Sequence, residues 1–188
     1  MQAAADATEG AMVSIIGLDE ETVRRLCEEA GEGELLEPVN FNCPGQIVIS
    51  GDRKACRIAK ELAIKCGAIK VVRLEVAGAF HTQMMSSAAQ ALGEALAHCE
   101  IAEPARIRII ANVNAEYYST SAKIREGLVR QLTRPILWQK CMERLLADGV
   151  ETFYEIGPGR VLTGLMRRID RKAEVVNLSS LQAIKEFL

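Results

Sequence analysis

The sequence predicts an α/β protein in two unequal parts, and three observations predict it. Residues 11 to 76 follow the order β-α-β-β-α-β. From residue 77 onward, short apolar runs alternate singly with helical stretches, the pattern of a parallel sheet. The chain has 188 residues, 49% hydrophobic and 26% charged, which suffices for a substantial core in one domain or two small ones.

Each element has a local reason. AMVSIIGL, residues 11 to 18, is an apolar run of strand length, and Asp19 after it is an N-cap residue. Val23, Leu26, Cys27 and Ala30 then repeat at helical spacing until Gly31 ends the helix. EPVNFN and QIVISG flank the turn Cys43-Pro44-Gly45-Gln46, so they read as a hairpin. A helix over 53 to 66 buries Cys56, Ala59, Ala63 and Cys66 and stops at Gly67, and KVVRLEV supplies a fourth strand. This is the split β-α-β order of a ferredoxin-like subdomain, which places both helices on one face of the sheet.

The second part reads as helix 81 to 98 with Met85, Ala89, Leu92 and Leu96 inward, strand 106 to 113, helices between 121 and 148, strand 152 to 156, helix 160 to 169 and strand 174 to 178. Three short strands are few for a parallel sheet covered on both faces, so a partial sheet with uncovered apolar surface is expected. There is no internal repeat and no low-complexity segment.

A formal net charge of −2 without a polybasic run gives no basis for a nucleic-acid or membrane partner. No apolar run approaches the roughly 20 residues needed to cross a bilayer. The N-terminal MQAAADATEG has neither the basic nor the apolar region of a signal. Six cysteines without a C-x-x-C pair read as reduced thiols of a cytoplasmic protein, Cys27, Cys56 and Cys66 in the core and Cys43 exposed in the hairpin turn. Two histidines without paired carboxylate spacing make no metal site.

His81 is the chief chemical candidate. It follows a strand and an Ala-Gly-Ala loop and opens a helix, where the dipole disfavours the imidazolium and suits a general base, although a plain loop histidine is also compatible with that position. His98, near the same helix's C-terminus, reads as structural. A serine nucleophile would be marked by G-x-S-x-G, which is absent, and Ser14, Ser50, Ser86 and Ser87 lie in strands or a helix. Gly157-Pro158-Gly159 before a helix offers N–H groups to a phosphate or is simply a tight turn.

Five segments in register resemble one family. GAMVSIIGLD at 10 to 19, EPVNFNCPGQIVISG at 37 to 51, GAFHTQMM at 78 to 85, REGLVRQLTRPILW at 125 to 138 and EIGPGRVLTGLMRRI at 155 to 169 are similar to the malonyl-CoA:acyl carrier protein transacylases. The resemblance implies an α/β-hydrolase-like large subdomain with a ferredoxin-like one inserted. Residues 1–10 would end a large-subdomain helix, 11–76 form the insert and 77–188 the C-terminal part of the larger unit. It also implies that a serine is acylated by malonyl-CoA and passes malonyl to the phosphopantetheine thiol of acyl carrier protein, for fatty acid biosynthesis. The coenzyme A thioester is then a substrate, and neither cofactor nor metal is called for. His81 matches the base, and Gln131 the residue whose backbone carbonyl orients it. Asn112 and Asn114 fall near that site without a definite role. Phe80 matches a position tied to preference for malonyl over branched extenders.

The match also has gaps. Met1-Gln2 correspond to a Met-Gln inside a family helix, after an arginine that holds the malonyl carboxylate. That arginine, half the oxyanion hole and the nucleophilic serine would precede these residues. A C-terminal portion with the base and without the nucleophile, inactive alone, is therefore expected. Two other readings are a non-catalytic binding or regulatory module built on residues 11 to 76, and a thioesterase-like hydrolase in which water accepts the acyl group.

Overall fold

In the computed structural model, which describes residues 1–187, the first sheet is built around β1 (Gly10–Ile16). Strand β1 pairs antiparallel with β3 (Gln46–Asp52) along its length and with β4 (Lys70–Arg73) from Val13 to Ile16. Strand β2 (Leu36–Cys43) joins the far side of β3, giving the order β2-β3-β1-β4. Pro38 has no N–H for a ladder, and it sits on the edge strand, where a bulge interrupts the register.

Alternation along β1 assigns its two faces. Ala11, Val13 and Ile15 join Ile47 and Ile49 against α2 (Glu20–Gly31) and α3 (Arg53–Lys65), which contribute Val23, Leu26, Cys27, Cys56, Ala59 and Ala63. Met12 and Val48 face the other way, with Val39, onto Leu74 and Phe80. The Asp19 side chain accepts from Thr22 N–H at 2.8 Å, and that of Asp52 from Lys54 and Ala55 N–H at 2.8 and 3.1 Å. Both helices therefore start at a charged N-cap. Helix α2 runs through the expected stop at Gly31. The left-handed residue that ends it is Glu32, φ +46°.

The remainder is more helical than the sequence pattern predicts. It holds α1 (Gln2–Asp6), α4 (Ser86–Ala97), α5 (Ser121–Gln131), α6 (Trp138–Ala147), β5 (Thr152–Ile156), α7 (Val161–Ile169), β6 (Glu174–Leu178) and α8 (Leu181–Phe187). Strands β5 and β6 form a parallel pair over a core of Cys141, Met142 and Met166. The expected strand over 106 to 113 does not form; a single antiparallel bridge, Ile110 to Tyr117, stands in its place. A strand needs a neighbour along its length to take its N–H and C=O groups, and here the pairing is a short one with residues 116 to 118, Tyr118 N–H donating to the Ile109 carbonyl at 2.9 Å and Ala111 N–H to the Glu116 carbonyl at 2.8 Å, while Ile107 and Ile109 lie 77% and 43% exposed. The helix expected from residue 81 begins at Ser86, after a 3₁₀ turn at Gln83–Met85, and β4 stops at Arg73, short of residue 76.

Hydrogen bonds help tie the parts together at two places. Ile136 pairs with the free edge of β2, its N–H donating to Val39 at 2.7 Å and its carbonyl accepting from Phe41 at 2.9 Å. From α7, Arg168 donates to Gln46 Oε1 at 3.0 Å and to the Pro44 carbonyl at 3.3 Å, holding the hairpin tip.

The N-terminus of α7 receives a carboxylate from its own neighbourhood. Glu155 accepts from Leu162 and Thr163 N–H, both at 2.9 Å, and from Asn177 Nδ2 at 3.1 Å. Burial pushes the Glu155 carboxyl up, but the bonds from the Thr163 hydroxyl, the two N–H groups and Asn177 outweigh it and hold the group below its ordinary value. A depressed carboxyl stabilises the fold above its unfolded pKa, and that contribution disappears as pH falls through the folded pKa. Glu155→Gln is therefore expected to unfold at lower urea concentration than the parent at pH 7, with the gap closing below about pH 4, where glutamate is ordinarily protonated.

The cysteines divide differently from expectation. Cys43, expected at the surface, is buried because its strand folds under α6, and Cys66, expected in the core, is exposed as the residue that closes α3. Burial pushes the Cys27 thiol up to about 12 and the Cys56 and Cys141 thiols up to about 11. Iodoacetamide at pH 8 is expected to alkylate Cys66 and Cys99 in the native chain and the other four only after denaturation, as mass spectrometry will read.

Candidate active site

His81 is held in a conformation that few side chains adopt. Its φ is +64°, left-handed, which costs roughly 1–2 kcal/mol in a residue other than glycine. This backbone cannot continue a right-handed helix, so His81 lies outside the helix it was expected to open, ahead of the 3₁₀ turn that Thr82 caps. The loop that carries it presses on β1. Ala79 is fully buried, and a Cβ on Gly10 would lie 2.4 Å from the Ala79 backbone nitrogen, so only glycine at position 10 allows that approach.

The half-buried imidazole makes one side-chain hydrogen bond among the described residues, from Nδ1 to the Gln131 carbonyl at 2.8 Å. A carbonyl only accepts, so Nδ1 carries the proton, and in the neutral ring Nε2 keeps its lone pair. The carbonyl is available for a local reason. Gln131 is the last residue of α5, and the residue four further on, Pro135, has no N–H to donate back. The Gln131 side chain holds the following turn, donating to the carbonyls of Arg134 at 2.9 Å and Pro135 at 3.1 Å. Ile136 then anchors on β2, as above.

One apolar cluster lies beneath both partners. Ala4, Ala5, Met85 and Ala88 pack with Met84, with Phe80 next to His81, and with Leu132 next to Gln131. Phe80 also touches the Met12, Val39 and Val48 cluster on the sheet, so its ring bridges α1, α4 and the sheet while remaining half-buried.

The remaining candidates make contacts of their own. Asn112 accepts from Leu137 N–H at 2.8 Å through its carbonyl, and Asn114 bonds Glu116, its Nδ2 donating at 2.8 Å. Ser14 and Ser50 are buried in the sheet, and Ser86 donates to the Gln83 carbonyl at 2.6 Å. His98 is exposed at the C-cap of α4. The Gly157-Pro158-Gly159 turn offers no free helix terminus to a phosphate, since Glu155 takes the N–H groups. A cavity of ≈ 470 Å³ beside α3 is lined by Ala11, Val13, Cys56, Arg57, Lys60 and Arg73 among others, and by no residue of the His81 centre. Sequence reading missed Gly10 and Pro135 as parts of this centre. A proline four residues after a helix's last carbonyl is a legible signal that the carbonyl is free.

No family model matches the chain. A malonyl CoA-acyl carrier protein transacylase of Bacillus subtilis is 41% identical over 186 residues, 98% of this chain and 58% of the relative. Among solved structures, an acyl carrier protein S-malonyltransferase from Vibrio cholerae superposes with a TM-score of 0.94 at 39% identity, matching 100% of this chain and 61% of its own. A malonyl-transacylase solved in complex with its type II PKS acyl-carrier protein gives a TM-score of 0.89 at 37% identity, over 94% of this chain and 57% of the other. The chain thus spans somewhat more than half the length of the relatives it matches.

Proposed function

From the premise that the chain is kin to the malonyl-CoA:acyl carrier protein transacylases, similar at 39–41% identity over nearly its whole length, we propose that it carries the general-base half of a malonyl-transfer site. The observation that carries this reading is the 2.8 Å contact between His81 Nδ1 and the Gln131 carbonyl. It leaves Nε2 as the proton acceptor of a neutral ring.

On this reading a serine hydroxyl from outside residues 1–188 gives its proton to His81 Nε2 as its oxygen attacks the thioester carbonyl of malonyl-CoA. The imidazolium, held through Nδ1–H by Gln131, returns that proton to the departing CoA sulfur. In the second half the carrier's phosphopantetheine thiol gives its proton to Nε2 and attacks the acyl-serine, and the proton ends on the serine oxygen. The carbonyl supplies no proton; it sets the ring's tautomer and favours the transient cation. No cofactor enters, the thioester itself being the substrate, and the reaction belongs to fatty acid biosynthesis in the cytoplasm. The sheet at 11–76 plays the part of a ferredoxin-like insert, and residues 77–188 that of the C-terminal portion of an α/β-hydrolase-like subdomain.

Residues 1–188 contain no G-x-S-x-G. The purified 188-residue chain is accordingly expected to transfer no radiolabelled malonyl from CoA to acyl carrier protein, and turnover by this polypeptide alone would overturn the reading. In a serine-bearing chain, His81→Ala is expected to slow transfer by about 10²–10⁴, the usual contribution of a general base.

Phe80 is proposed to restrict the space beside the malonyl α-carbon. Phe80→Ser in the serine-bearing chain is expected to raise kcat/KM for methylmalonyl-CoA relative to malonyl-CoA by about tenfold, the scale of one methyl group in a pocket. An unchanged ratio accompanied by lower thermal stability assigns Phe80 to packing alone.

A further inference from the structure

We infer that Thr82 is a positioning residue for the base, a role that rests on the reading of His81 given above. His81 is the third residue of the turn Ala79-Phe80-His81-Thr82, the place where a left-handed residue is ordinarily glycine or asparagine. Something must hold a histidine there. The hydroxyl of Thr82, fully buried, donates to the Ala79 carbonyl at 2.8 Å and accepts from Met84 N–H at 3.3 Å. A single oxygen atom thus spans the left-handed residue from both sides.

Each end of that span is itself fixed. Ala79 is seated on Gly10 of β1, and Met84 leads into Met85, which is fully buried under α4. The root of the imidazole is therefore located relative to the sheet and to α4, while its Nδ1 is located by Gln131. The Thr82 proton is already committed to Ala79, so this hydroxyl has none to give a substrate; it acts through His81. An N-cap needs only the acceptor bond to Met84. The donor bond reaching back across His81 is the additional feature, and it closes the turn.

Valine has the shape of threonine without the hydroxyl, and serine has the hydroxyl without the methyl. Imidazole ¹⁵N shifts of His81 in the 188-residue chain report the Nδ1–H tautomer directly. The expected result is a fixed Nδ1–H form in the parent and in Thr82→Ser, and a mixed tautomer in Thr82→Val. In the serine-bearing chain, Thr82→Val is expected to lower kcat on the order of tenfold to a hundredfold, the scale of misplacing a catalytic group, with KM unchanged and Thr82→Ser near the parent. Should the valine variant not fold, Thr82→Ala is read in its place. Parent-like ¹⁵N shifts in a folded Thr82→Val or Thr82→Ala chain overturn the role, as does a folded Thr82→Ser chain as slow as the valine variant. His81→Ala separates the two readings, because full transfer without the imidazole overturns the base itself and the positioning role with it.

Discussion

The hydrogen bond from His81 Nδ1 to the Gln131 carbonyl joins segments 50 residues apart, and each of its ends, 2.8 Å from the other, has its own support in the fold. One end depends on β1, through Gly10 and the buried Ala79. The other depends on α5 ending where it does, on Pro135 withholding an N–H, and on Ile136 pairing with the edge of β2. Both routes converge on the same four-stranded sheet. The sheet is thus a frame of reference for two loops that would otherwise wander independently.

This explains why β1 is buried on both faces, whereas antiparallel sheets commonly leave one face to water. One face carries the packing that makes the unit cohere, with Val23, Ala59 and Ile49 fully buried between helices and strands. The opposite face, Met12, Val39 and Val48, is covered by Phe80 and Leu74. Phe80 directly precedes His81, so the apolar contact that covers the sheet also sets where the imidazole leaves the backbone. Packing and chemistry meet in consecutive residues.

How much of this was legible in the sequence follows from the range of the forces involved. The caps at Asp19 and Asp52, the hairpin at Pro44-Gly45 and the helical faces of α2 and α3 depend on neighbours within a few residues, and their patterns are explicit. Residues 106 to 113 have a strand's alternation and no strand, because pairing needs a partner that local pattern does not supply. Cys43 and Cys66 exchanged their expected environments because burial of a turn depends on what folds over it, here α6. At the candidate site, His81 was marked by its place between a strand and a helix as well as by a family resemblance, whereas Gln131 and Phe80 came from the resemblance alone. The positive φ of His81 and the twofold use of the Thr82 hydroxyl were not readable, since they depend on the close approach of Ala79 to Gly10.

The pair β5 and β6 has a different significance. Ile156 is 75% exposed and Tyr154 51%, with Phe187 stacked edge-on against the tyrosine at 5.4 Å. Ile107, Val161 and Leu181 are likewise turned to water. A two-strand parallel ribbon with greasy flanks and unsaturated amide edges is sticky in the colloidal sense. A further strand laid along that ribbon, from whatever source, would take these flanks out of water.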